Sequence, residues 1–305
     1  SLRLVALCAE PLSGAVQDFA MEALCPVCIN TYWATEHGCV AWGRHLANKG
    51  QVPLQADARS WSLPWVDGDV YVFADKAEGF WRARRAVEGE CGEVIIGSPF
   101  PSMFRCLWGD VENIKRLDWA GDRSAMLMRY WRRTVMQGSF DERWVYVQGD
   151  FACKHLCGGY TFHGRSDEVL NVHGNLYGPE HVEGAILRDP DAVVGRCAVV
   201  GCPEEVAGEV PLAFLVPCDG ARRPSSKDFL RLFHLVREVV GPLSMKFVVV
   251  SELPMTWTGK VARRLLSAIC HERPLEGLSA IENSHCIPEI LKEFELWKSQ
   301  EDIMA

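Results

Sequence analysis

The feature that most restricts the fold is the pattern after about Asp167, where strand-length apolar runs alternate with helical spacings. Residues 169–172 and 192–200 read as strands, and Pro179 opens a helix that brings Val182, Ala185 and Ile186 onto one face. Residues 211–216 form another strand. Ser225 and Asp228 make a Ser-x-x-Asp start signal, after which Phe229, Phe233, Val236 and Val240 recur at helical spacing until Gly241-Pro242. Residues 246–250 are a strand, Val261, Leu265, Ala268 and Ile269 mark a helix just after Gly259-Lys260, and residues 288–299 a last amphipathic helix. Such alternation implies a compact domain with its own core.

The first half reads differently. Residues 144–148 alternate at period two, and residues 160–162 are their hairpin partner across Gly158-Gly159. Residues 117–143 are rich in Arg, Trp and Met. Tyr130-Trp131-Arg132-Arg133 could stack on bases, but in an acidic chain a helix or loop with solvated arginines is the stronger expectation.

The chain of 305 residues carries a net charge of −8, which argues against nucleic acid or an anionic membrane as the main partner and favours small molecules. No apolar run is long enough for a membrane span. An odd count of 13 cysteines in a chain of this size favours free thiols, hence cytoplasm or an organelle matrix, over a disulfide framework. Cys25-Pro26-Val27-Cys28 lacks a matching second pair and reads as buried thiols. Cys153, His155 and Cys157, with His163 nearby, surround a hairpin turn without clear tetrahedral geometry.

Four places could carry chemistry. Asp150, after Gly149, ends a strand-like run where a carboxylate can accept bonds from ribose hydroxyls. Gly164-Arg165-Ser166-Asp167 lies at the junction of the two inferred domains, where rotation is cheapest. Tyr32-Trp33-Ala34-Thr35-Glu36-His37-Gly38 offers a pocket wall beside phosphate or magnesium contacts. Lys260, on the turn Thr256-Trp257-Thr258-Gly259, can reach an anion. An ordinary Gly-Asp turn, a linker salt bridge, a buried strand end and a solvated lysine account for the same residues one at a time. No Gly-x-Ser-x-Gly, His-Glu-x-x-His or Gly-x-Gly-x-x-Gly motif is present, against hydrolase, zincin and dehydrogenase readings.

Taken in order with Ala9-Glu10-Pro11, residues 104–110 (FRCLWGD), residues 164–172 (GRSDEVLNV) and residues 258–264 (TGKVARR), these segments resemble the AMP-forming acetyl-CoA synthetases of the acyl-adenylate-forming superfamily. The resemblance runs from about residue 2 to residue 270, with an extra segment near residues 118–143. It implies an α+β fold: a strand-rich remnant of the large adenylate-forming domain over residues 1–166, a small mobile α+β C-terminal domain over 167–285 and a helical tail over 286–305. It implies an acetate–CoA ligase, in which a carboxylate attacks the ATP α-phosphate to give acyl-AMP and CoA then displaces AMP. ATP with Mg2+, CoA and acetate or propionate are the expected ligands, with no nucleic acid or membrane.

By resemblance, Asp150 and Arg165 contact the ribose, Glu10 and Pro11 the adenine, and Thr35 and Glu36 the phosphates, with Glu36 also matching a Mg2+ contact. Trp33 closes the acyl pocket, Asp167 is the hinge, and Lys260 binds the attacking carboxylate and α-phosphate. Gly174 and Arg237 match the CoA site. There are departures: Ala9 and Ala34 replace a glycine and a glutamine, and Leu176 stands where the family has a phosphate-binding arginine. The family's Ser/Thr/Gly-rich phosphate loop would lie upstream of Ser1, so the chain is expected to be the C-terminal part of such a ligase. The alternative is a non-catalytic paralogue that binds nucleotide, CoA or a complete synthetase.

Overall fold

The structure is a computed structural model that describes residues 2–8, 12, 14–44, 59–77, 79–105, 107, 124–139, 141–172, 175–204, 208–218 and 222–304. It divides into two compact units, residues 1–167 and 168–305.

In the first unit, β1 (Val5–Leu7) pairs in parallel with β2 (Cys28–Asn30), with α1 (Gly14–Ala23) between them in the chain. Then β3 (Tyr32–Trp33), β4 (Val40–Gly43) and β5 (Trp61–Ser62) form a small antiparallel sheet. The larger sheet contains β6 (Gly68–Ala77), β7 (Phe80–Arg85), β8 (Cys91–Ile96), β9 (Trp131–Met136), β10 (Glu142–Lys154) and β11 (Tyr160–Arg165), with α2 (Ser124–Tyr130) leading into β9. Its order is β11-β10-β8-β6-β7-β9, and β9 pairs back onto β10. Five strands therefore close a ring without open edges, and β11 branches from the far part of β10.

Period-two alternation divides the two faces. Tyr71, Ala83, Ile95, Val145 and Val147, with Phe73 and Met136 against them, cluster on one side. Val70, Val94, Ile96, Tyr146 and Ala152 join Trp42, Phe100 and Tyr130 on the other. The hairpin across Gly158-Gly159 is present, but its register corrects the expectation: residues 160–162 pair with residues 152–154, Cys153 opposite Thr161, whereas residues 144–147 pair with β9 and β8.

Among the described arginines of residues 117–143, Arg129 on α2 and Arg133 are exposed as expected, while Arg132 corrects the expectation of a wholly solvated face. Arg132 bonds Glu93 at 3.0 Å and stacks over Phe73 and Trp81, and Arg133 bonds Glu142 at 2.6 Å and stacks over Phe80. The aromatic rings of β6 and β7 give the guanidinium planes a stacking surface that water does not offer. The cysteine expectation is corrected at one pair. Cys91 and Cys153, directly opposite each other on β8 and β10, are joined through their sulfurs, while Cys25 and Cys28 are buried and free as expected.

In the second unit, β12 (Leu170–Val172) and β13 (Asn175–Tyr177) form a hairpin, followed by α3 (Pro179–Ile186) with its proline at the first turn. β14 (Val194–Glu204) is antiparallel to β15 (Gly208–Pro217), which is parallel to β16 (Lys246–Val249). Between β15 and β16 runs α4 (Ser226–Val240), opened by the reciprocal Ser225–Asp228 capping box and stopped at Gly241. α5 (Arg263–Cys270) and α6 (Ile287–Met304) complete the unit.

Both faces of the β14–β15–β16 sheet are covered. Ala198, Val200, Leu212 and Phe214 face α5 and α6 through Leu266, Ile269, Ile290 and Phe294. Val199, Ala213 and Leu215 face α3 and α4 through Val182, Ile186, Leu232 and Val236. This two-sided burial explains why β14 and β15 read as continuous apolar runs. α6 belongs to this core through Ile287, Ile290 and Phe294. Among the described residues no helix is long and apolar enough to cross a membrane.

Candidate functional site

The residues singled out in the first unit converge on β10. Gly149 has φ +86°, a left-handed conformation, and an added Cβ there would lie 2.8 Å from the Arg165 guanidinium. The register of β10 shifts at this point against both β8 and β11. The bulge re-aims the chain so that Asp150 faces β3 and β11. The Tyr32 hydroxyl donates to Asp150 Oδ2, and Tyr32 is held by stacking on Phe162 with centroids 4.2 Å apart. Arg165 Nη1 donates to the Gln148 carbonyl at 2.8 Å and lies 3.5 Å from Asp150 Oδ1, while its Nε donates to Asp167 Oδ1 at 3.2 Å. Burial pushes the Asp150 carboxyl above its ordinary value, opposed by the Tyr32 hydrogen bond and the Arg165 charge.

Glu36 lies in a single 3-10 turn, Thr35–His37, that ends on left-handed Gly38. Its Oε1 accepts from the Tyr130 hydroxyl at 2.9 Å. Burial raises its pKa, but its own backbone N–H, Tyr130 and Gln148 outweigh that and hold the carboxyl below its usual range. The Tyr146 hydroxyl donates to the Gln148 side chain, and its ring stacks on Tyr130 with centroids 5.8 Å apart. Thr35 and Trp33 are exposed, Trp33 by 44%. The site thus pairs two carboxylates with an arginine, a tyrosine hydroxyl donating to each carboxylate.

Sequence reasoning placed Tyr32 and His37 in the singled-out segment, Tyr146 and Gln148 on a strand and Tyr130 in a base-stacking candidate, but gave none of them a partner at this site. The period-two spacing of Tyr146, Gln148 and Asp150 was a usable signal that these three share a face. For Tyr130 no local signal exists, because it reaches Glu36 across 94 residues. The His37 imidazole is 1% exposed among Tyr32, Phe100 and Tyr146, and burial depresses its pKa to about 4.

In the second unit Lys260 is exposed on a hairpin turn rather than at a helix start, since α5 begins only at Arg263. The Thr256 N–H donates to the Lys260 carbonyl at 2.8 Å, and the Lys260 N–H to Thr256 Oγ1 at 3.1 Å. Gly259, at φ +80°, makes the reversal. The turn is anchored below by Arg263, which forms a two-bond pair with Glu183 at 3.2 and 2.7 Å and lies 3.7 Å from Glu180. Burial raises the Glu180 pKa to about 7 against the pull of Arg263. Arg237 is exposed in the last turn of α4, stacked over Phe233 at 5.4 Å. Leu176 is 51% exposed on β13. Glu10, Pro11 and Gly174 lie outside the described residues.

Comparison with known proteins follows the same division. The sequence profile of the AMP-binding enzyme C-terminal domain matches residues 181–260. The chain is 29% identical over 303 residues to the acetyl-coenzyme A synthetase of Helicobacter pylori (strain P12), covering 95% of this chain and 41% of that protein. It is 31% identical over 304 residues to the acetyl-coenzyme A synthetase of Thiobacillus denitrificans, with the same two coverages. Thus it spans about two fifths of the length of these relatives. The crystal structure of the anthranilate CoA ligase AuaEII in complex with anthranoyl-AMP shares the fold, with a TM-score of 0.63 at 22% identity over 88% of this chain and 45% of that one. The family match, the relatives and the shared α+β fold make this chain the counterpart of the C-terminal part of an adenylate-forming enzyme.

Proposed function

We propose that the chain supplies part of the nucleotide site and the lysine-bearing domain of an AMP-forming acetate–CoA ligase. The observation that carries the reading is the Gly149 bulge, which sets Asp150 between the Tyr32 hydroxyl and Arg165 in a chain whose residues 181–260 match the AMP-binding C-terminal domain. Asp150 accepts hydrogen bonds from the ribose hydroxyls of ATP, and Arg165 holds the carboxylate in place beside them. Thr35 contacts phosphate, and Glu10 and Pro11 contact adenine.

Glu36 fits a magnesium contact because it is a hard oxygen donor kept ionised by Tyr130 and Gln148. When bound, that ion would offset the charge of the phosphates. Lys260 stabilises the negative charge that gathers as the acid carboxylate attacks the α-phosphate and pyrophosphate leaves. Asp167, the last residue of the first unit, is the hinge, and Arg237 and Gly174 receive CoA, whose thiol then displaces AMP. The bulk of Trp33 limits the acid to a short one, because overpacking costs about 1–3 kcal/mol, and acetate and propionate, one methylene apart, differ by only about 1–3 kcal/mol in such a pocket.

Acetate-dependent exchange of pyrophosphate into ATP by the native protein tests the reading. Exchange with acetate or propionate is expected, and its absence with every short acid overturns it. A specific observation favours a second reading, a non-catalytic relative that binds nucleotide or CoA. Leu176 occupies the place of the family's phosphate-binding arginine, and its side chain is exposed. AMP or CoA binding by calorimetry without pyrophosphate release is the outcome that reading expects.

A further inference from the structure

Away from the Asp150 cluster, three strands bring soft donor atoms to one point. Cys91 and Cys153 are directly opposite on β8 and β10, and Cys153 is in turn opposite Thr161 on β11. His163, two residues further along β11, therefore shares their face. Sγ of both cysteines and a ring nitrogen of His163 lie within 4.8 Å of one another. His163 is only 7% exposed. The Thr161 hydroxyl sits 3.0 Å from His163 Nε2 and 2.8 Å from His155 Nε2, where it can fix the ring as a second shell does around a metal ligand. Glu93, the next side chain on that face of β8, is engaged by Arg132.

We propose that Cys91, Cys153 and His163, in the dithiol form of the cysteine pair, are a binding site for a thiophilic divalent cation of the zinc class. Two cross-strand cysteines alone need nothing beyond a disulfide. The buried imidazole converging on the same point is what a disulfide leaves unexplained, and two sulfurs with one imidazole are a donor set that zinc takes. The grouping differs from the one the sequence suggested: Cys157 is bonded by Arg59 and His155 by Thr161, and Cys91, 62 residues from Cys153, takes their place.

The chemistry balances with a cellular thiol as reductant. Two thiols give two electrons and two protons to the Cys91–Cys153 bond and leave as their own disulfide. The cation then displaces the two cysteine protons to solvent, so that two thiolates neutralise its double charge. A bound ion would tie β8, β10 and β11 together three residues from Asp150 on the same strand.

The test uses the purified protein, reduced with a phosphine, stripped with a chelator, desalted under inert gas and titrated with zinc, and with cobalt(II) as a spectroscopic stand-in. One zinc per chain is expected by elemental analysis, and a thiolate-to-cobalt absorption band should appear. Replacing Cys25 and Cys28 with serine should leave both signals intact. Cys153→Ser should abolish the band, and His163→Gln, which preserves bulk and polarity, should weaken zinc binding about tenfold or more. Unaltered near-ultraviolet circular dichroism checks that each variant is folded. The proposal is overturned by reduced protein that takes up no metal, by a pair that re-forms its disulfide in the presence of zinc, or by a band that survives both Cys153→Ser and His163→Gln. Metal content is read without any ligase assay, so this inference stands or fails separately from the proposed activity.

Discussion

The two units present their functional side chains in opposite ways. In the first, Asp150 on the closed ring and Glu36 on a 3-10 turn are each held by a tyrosine hydroxyl. In the second, Lys260 stands on an exposed glycine turn, and the tight structure lies beneath it, in the buried pair of Arg263 with Glu183. On the proposed roles, a carboxylate that positions a neutral ribose gains from being fixed in advance. A lysine that meets charge only while it develops gains from a water-exposed turn, because its ammonium is not desolvated beforehand. On that proposal the difference is one of timing: the first unit receives, the second delivers.

The contrast can be broken most forcefully beneath the lysine. Arg263→Ala removes one partner of a buried ion pair and leaves Glu183 and Glu180 uncompensated, so chemical denaturation should show a loss of about 3–5 kcal/mol. A loss under 1 kcal/mol would mean that the turn does not depend on this anchor. Lys260→Ala, by contrast, should change stability by less than about 1 kcal/mol, the scale of an exposed charged contact. On the proposed activity it should slow acetate-dependent pyrophosphate exchange by roughly 10²–10³-fold, yet affect thioester formation from supplied acetyl-AMP far less. Equal damage to both half-reactions would contradict the division of labour.

Acidity sharpens the comparison because the buried groups of the two units pull in opposite directions. His37 has a folded pKa near 4, below the ordinary value of 6.5, so the unfolded chain binds more protons between them. Its contribution is present above pH 6.5 and is lost as pH falls toward 4, by about 3 kcal/mol. Glu180, raised to about 7 from 4.5, contributes stability below pH 4.5 that is lost as pH rises through 7. Thermal unfolding across this range should show His37→Phe flattening the acid side and Glu180→Gln gaining most at neutral pH. Curves parallel to the parent protein at every pH would show that these side chains are solvated, and shifts of the reverse sign that the fold stabilises their charged forms.

Smaller effects are expected at single contacts. Gly149→Ala places a Cβ against Arg165 at positive φ, and should cost about 1–3 kcal/mol and weaken AMP binding measured by calorimetry. Unchanged AMP affinity would separate the bulge from the nucleotide. Arg237→Ala, at an exposed ring contact, should alter stability least and raise the KM for CoA only a few-fold.

Much of the second unit was legible because its signals are local. The Ser225–Asp228 box, Pro179 and Gly241 start and stop helices through contacts within a few residues, and the structure keeps each of them. Its apolar runs also fixed which strands are buried, since alternate residues of β14 and β15 serve two faces at once. The first unit was less readable. Its sheet closes through pairings such as Trp144 with Arg133 and Trp81 with Thr134, and no local pattern announces a ring.

From the amino-acid sequence, Asp150, Arg165, Glu36 and Lys260 stand out as candidates, and the glycines near them, Gly149, Gly164, Gly38 and Gly259, take backbone conformations that other residues rarely adopt. What surrounds them is set by contacts between distant parts of the chain. Tyr32 reaches Asp150 across 118 residues, Tyr130 reaches Glu36 across 94, and Cys91 meets Cys153 across 62. Such partners are chosen by strand pairing and packing, whose energies depend on the whole fold rather than on spacing along the chain.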